Sequence, residues 1–78
     1  MTVTEIFDDI AGIVAHLNPQ QVVGLKAPQQ MSNRVEILVN RKKEGNISQE
    51  ETLELERFLA LDLFMSLTKA RARALLTA

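Results

Sequence analysis

Apolar residues recur along the chain at intervals of three and four, and four stretches carry that rhythm. In the first, Val3, Ile6, Ile10, Ile13 and Leu17 fall on one helix stripe, Phe7 and Val14 widen it, and Asp8 and Asp9 lie to the other side. The spacing predicts a helix over about 4–17 with that stripe turned inward. Thr2 or Thr4 is placed to cap its start, and Glu5, three residues after Thr2, would complete a capping box.

Asn18-Pro19 stops this helix and starts another. Proline loses nothing at a first helical position, where its missing N–H would have had no partner, and asparagine is a good N-cap. A short second helix over about 19–26 presents Val22, Val23 and Leu25, and Ala27-Pro28 closes it because the residue before proline avoids the helical region. The third helix, about 28–44, stacks Met31, Val35 and Leu38, with Ile37 and Val39 broadening the face. It ends in "RKKEGN", cations followed by Gly45 as the left-handed cap. Ser48 with Glu51 is a capping box for the fourth helix, and Gln49, Glu50 and Glu51 set negative charge near its positive end.

From about 49 to 76 nothing interrupts the last helix, which at 1.5 Å per residue is a rod of roughly 40 Å. Leu55, Leu59, Leu63, Leu67, Ala70 and Ala74 form one stripe, Phe58, Leu61 and Met65 a second, and Leu53 and Phe64 lie on the far side. Asp62, Ser66 and Thr68 are the polar islands. A helix apolar nearly all round must be covered nearly all round. Three shorter helices cover one side, so the other calls for a second copy or another protein. The dimer or partner face is therefore assigned to Leu55, Phe58, Leu59, Leu63, Phe64 and Leu67. Acids fill the first half of this helix and Lys69, Arg71 and Arg73 its last third, which the helix dipole favours. Two such helices packed antiparallel across a two-fold axis would also set each acidic half beside a basic one.

Size sharpens this expectation. Seventy-eight residues make one domain, residues 1–78, with a thin core and no cysteine to staple it. Disulfides, thiolate zinc sites and cysteine nucleophiles are excluded together, and the single histidine, His16, is too few for an imidazole metal site. His16 falls in the last turn of the first helix, beside its stripe, as a partly packed helix-end histidine. No cofactor is expected. Nine basic and ten acidic residues leave a net charge of −1, so no global field draws in nucleic acid or anionic lipid. The acidic start lacks the pattern of a signal peptide, and no apolar run approaches the ~20 residues of a membrane span, so a soluble cytoplasmic protein is expected.

Candidate chemistry is sparse. Arg41, Lys42 and Lys43 form one basic cluster and Lys69, Arg71 and Arg73 another; the latter are spaced by two, so they fan over different helix faces. Asp8-Asp9 and the glutamates between 50 and 56 lack any calcium-loop or Glu-x-x-His pattern. Gly24 and Gly45 are isolated and no phosphate loop exists. No serine or threonine has the setting of a nucleophile, and the chain is not expected to be an enzyme.

One combination of motifs stands out: "LNPQQVVGLKAP", then "RVEILVNRKKEGNISQEETLELERFLALDLFMSLTKARAR". It resembles a family of short, uncharacterised bacterial all-helical proteins with a leucine-rich tail ending Lys-Ala-Arg-Ala, and the similarity spans roughly residues 15–75. Members are often encoded immediately before a small nuclease-like protein of the HNH or PIN type. The resemblance implies an antitoxin-like partner of such a nuclease and carries no site residues of its own.

The expected architecture is all-α, three shorter helices packed on one long C-terminal helix, assembled as a homodimer through that helix. The expected function is a non-enzymatic protein–protein interaction module, an antitoxin-like partner of a neighbouring-gene nuclease. Two alternatives stand beside it. One is a small nucleic-acid-associated regulator using Arg41, Lys42, Lys43, Lys69, Arg71 and Arg73. The other is a structural or assembly adaptor.

Overall fold

A computed structural model describes residues 2–77, which form four α-helices and, among the described residues, no strand. They are α1 (Val3–Leu17), α2 (Pro19–Val23), α3 (Gln29–Glu44) and α4 (Gln49–Thr77). The boundaries follow from local chemistry. Thr2 Oγ1 accepts the Glu5 N–H at 3.1 Å, and Asn18 Oδ1 accepts the Gln21 N–H at 3.1 Å. At the start of α4 the capping box closes in both directions: the Glu51 N–H donates to Ser48 Oγ and the Ser48 N–H to Glu51 Oε1, each at 3.0 Å.

The second helix stops at Val23, short of the expected Lys26. The Gly24 N–H turns back to the Gln21 carbonyl and the Leu25 N–H to the Val22 carbonyl, both at 3.1 Å, so the chain tightens and leaves the helix. Pro28 is the cap of α3 and not its first residue, because its ψ of 145° lies outside the helical region. At the other end Gly45 takes φ 75°, the left-handed conformation that only glycine adopts without strain. There the Asn46 N–H reaches the Arg41 carbonyl at 2.8 Å and the Gly45 N–H the Lys42 carbonyl at 3.2 Å, a Schellman close.

The chain resolves into two compact units, residues 2–26 with 63–77, and Ala27–Asp62. The second unit is a helical hairpin of α3 and the first part of α4. Leu38 and Leu55 are its buried side chains. Arg34 ties its two helices together by a fork to Glu54, Nε–Oε2 at 2.7 Å and Nη2–Oε1 at 2.9 Å, and Arg41 pairs with Glu51 nearer the turn.

In the first unit α1 and α2 pack on the last part of α4. Ala15, Val22 and Ala72 form the central cluster, with Val14 and Val23 packed against it. Ala11 and Thr68 are also fully enclosed, and the Thr68 hydroxyl is satisfied by donating to the Phe64 carbonyl at 2.7 Å. Phe7 meets Phe64 edge to face, centroids 5.9 Å apart. These contacts step along α1 and α4 in the same sense.

One expectation about this unit is overturned. The stripe Val3, Ile6, Ile10, Ile13 and Leu17 does not face the core: Leu17 is 80% exposed, Val3 68% and Ile13 66%, with Ile6 and Ile10 above two-fifths. The inward face of α1 lies roughly 120–160° further round, at Ala11 and Ala15. Ala15 clusters there with Ala72 and Val22, and small side chains on the enclosed face allow helices to pack closely. His16 is accordingly exposed, not packed beside a buried stripe.

Deleting most of a fully enclosed side chain removes its contacts and leaves a void. Leu38→Ala is expected to cost about 2–5 kcal/mol of unfolding free energy. Ile37→Ala, at its exposed neighbour, should cost under about 1 kcal/mol. Urea denaturation followed by circular dichroism distinguishes the two; equal losses would mean that the hairpin is not held where the burial places it.

Candidate interaction surface

The exposed seam of α1 is the most regular surface feature of the first unit. Its spacings of three, four, three and four are those of positions a and d in a heptad, the pattern of a helix that presents a narrow apolar line to another helix. It has an asymmetric border. Asp9 and His16 flank one edge in water, whereas Phe7 and Val14 on the other edge are half-buried against their own core. The His16 Nδ1 lies 2.7 Å from the Gly12 carbonyl, which accepts its proton and leaves Nε2 facing outward. Full burial of an aliphatic side chain contributes about 1.5–3 kcal/mol, so covering seam residues exposed to this degree is worth roughly 1–2 kcal/mol each.

The six residues assigned to a partner face on the last helix separate. Leu55 is buried within its own unit, Phe64 is engaged by Phe7, and Phe58 and Leu67 are half-buried. Leu59 and Leu63 are widely exposed, as are Leu53 and Leu61. In the hairpin, an open groove of about 520 Å³ runs between α3 and α4. Met31, Val35, Val39, Phe58 and Leu59 give it apolar walls, and Glu36, Lys43 and Asp62 also line it. Such a trough offers volume and grease without converging catalytic groups.

The basic residues are dispersed. Arg41 is held by Glu51, with Arg34 also 3.8 Å from that carboxylate. Arg71 grips Asp8 with both ends of its guanidinium, Nε lying 3.2 Å from Oδ1. Two of the six candidate nucleic-acid cations are thus already committed to carboxylates. Lys42, Lys43 and Arg73 are exposed, and Lys69 is half-buried. Hydrogen bonds from Arg71 hold the Asp8 carboxyl below its ordinary value, partial burial opposing them and the Arg71 charge reinforcing them. Arg34 does the same to Glu54 through its own hydrogen bonds.

Among the described residues no three histidine, aspartate or glutamate side chains converge as metal ligands, and no helix is long and apolar enough to cross a membrane. No family model matches the chain, and neither curated proteins nor solved structures show a match.

The α1 seam was not singled out as a contact surface from the residues alone. A signal for it does exist: Ala11 and Ala15, four apart, put a competing small-residue face on the same helix, and Thr68 and Ala72 repeat that spacing on the partner.

The ion pair gives a prediction with a definite sign. A carboxyl lowered in the folded state adds stability above its ordinary range and loses it as pH falls through the lowered value. In Arg71→Gln, Asp8 should titrate at higher pH, and the fall in melting temperature on acidification should be shallower. Side-chain carbon chemical shifts of Asp8 followed across the acid range measure the first; an unchanged titration would mean that the contact is absent in solution.

Proposed function

We propose that this chain is a non-enzymatic protein–protein interaction module that assembles with a second copy of itself. The observation that carries this is the unpartnered seam of α1, five aliphatic side chains in a continuous line on a helix whose opposite face already holds the core. Contiguous apolar exposure of this kind marks contact surfaces, whereas the single leucines scattered along α4 would not. The groove between α3 and α4 beside Leu59 is a second, less regular apolar surface. The family resemblance extends the proposal to a second partner, a small nuclease-like protein encoded beside this chain, towards which it would act as an antitoxin.

Multi-angle light scattering is expected to show a mass rising from 8.7 kDa towards twice that value as concentration increases. Co-expression with the product of the adjacent gene should yield a complex that survives purification and relieves any growth defect which that product causes. A fixed monomer mass up to millimolar concentration, together with no complex, would overturn the interaction module itself.

A further inference from the structure

We infer that the α1 seam is covered by α1 of a second copy, the two helices running antiparallel across a two-fold axis with Asp9 of each beside His16 of the other. This rests on the interaction-module proposal and adds the surface, the orientation and the register.

A two-fold axis perpendicular to two helices makes each seam its own complement, so one surface supplies both sides of the contact. Antiparallel a and d positions meet in layers, and the seam allows two registers with at least four layers. In one, Val3 faces the partner's Ile13 and Ile6 the partner's Ile10. In the other, Ile10 faces the partner's Ile13 and Ile6 the partner's Leu17, leaving Val3 at the margin.

The flanking residues choose between them. The first register brings Asp9 against the partner's Asp9, two like charges at the centre of the contact. The second brings Asp9 against the partner's His16, twice by symmetry, on the wet side of the seam. There the Nδ1 proton of His16 is already taken by the Gly12 carbonyl, so the ring donates to a carboxylate only through Nε2, and only when that nitrogen also carries a proton. On the dry side the same register sets Phe7 beside the partner's Val14. Charge and apolarity therefore agree on one alignment.

The chemistry of α1 disfavours a lipid surface. Interfacial helices carry lysine and arginine on their polar side, where anionic headgroups attract them. Residues 3–17 contain no lysine or arginine, Asp9 borders the seam and Glu5 lies on the polar side beyond it.

Because the chain has no cysteine, introduced thiols report the alignment directly. Differently tagged Ile6→Cys and Leu17→Cys proteins, mixed and mildly oxidised, are expected to form the mixed disulfide in preference to either self-linked product. In the proposed pair the two copies of residue 6 are roughly 16 Å apart along the axis. Self-linking of Ile6→Cys would establish a parallel pair and overturn the orientation. Asp9→Lys should weaken association by about tenfold, and Asp9→Lys with His16→Glu should recover most of that loss. All four sites are exposed, and unchanged helix content by circular dichroism verifies that the monomer fold persists.

If these variants leave the dimer intact while Leu59→Glu or Leu63→Glu abolishes it, the seam assignment fails and the interaction module stands. If the chain stays monomeric but the seam variants release the nuclease-like partner, a foreign helix is the occupant and the second copy is excluded. A monomer that binds neither removes both proposals.

Discussion

Two helices approach closely only where the residues between them are small, and close approach multiplies the weak attractions that large side chains would hold at arm's length. In this chain small residues are what the first unit encloses: Ala15 of α1 and Ala72 of α4 cluster with Val22, and Ala11 and Thr68 are buried beside them along the same helices. The consequence reaches well past four residues. Once the alanine face of α1 is inward, its isoleucine stripe has to be outward, and α2 follows with Val22 and Val23 closing over Ala15 and Ala72. Even Thr68, the one buried hydroxyl among the described residues, fits this geometry. Thr68 satisfies itself on its own helix, so it enters the contact as a small side chain with no unmet polar demand.

The helices themselves were legible in the residues because each boundary is a local event. Asn18 caps what Pro19 begins, Gly45 reverses the chain, and Ser48 and Glu51 exchange hydrogen bonds across three positions. None of these depends on distant residues. The inward face of α1 was not legible, because periodicity identifies an apolar stripe without saying what it meets. Both faces of that helix are apolar, one through large aliphatics and one through alanines, and weighting by hydrophobicity favours the wrong one. On α4 the same ambiguity runs the other way. A helix apolar on most sides has no single stripe, and each half buries its own residues: Leu55 in the first, Thr68 and Ala72 in the second.

Charge acts here as a local fastener. Arg34 and Arg41 hold the hairpin's two helices through Glu54 and Glu51, and Arg71 holds α1 to α4 through Asp8. The Arg71–Asp8 pair is exposed and the hairpin pairs are half-exposed, so each adds little to stability and more to alignment. The pairing also takes Arg41 and Arg71 out of the two clusters that would have to serve a phosphate backbone. What looked along the sequence like two basic patches is a mixture of arginines clamped by carboxylates and largely exposed cations.

A core built on alanine has a thermodynamic consequence that ties the fold to its use. Alanine contributes little buried area, so a crossing of this kind gains from closeness what it forgoes in apolar surface, and the large aliphatic residues remain outside. For an isolated chain of this size that distribution is wasteful, because small domains have few sources of stability to spare. It becomes economical when the outer stripe is covered by association, since anything that binds the folded form alone adds its binding free energy to the stability of the fold. Close packing inside and an aliphatic line outside then serve one end: the first fixes the orientation of α1, and the second makes that orientation recognisable to whatever docks against it.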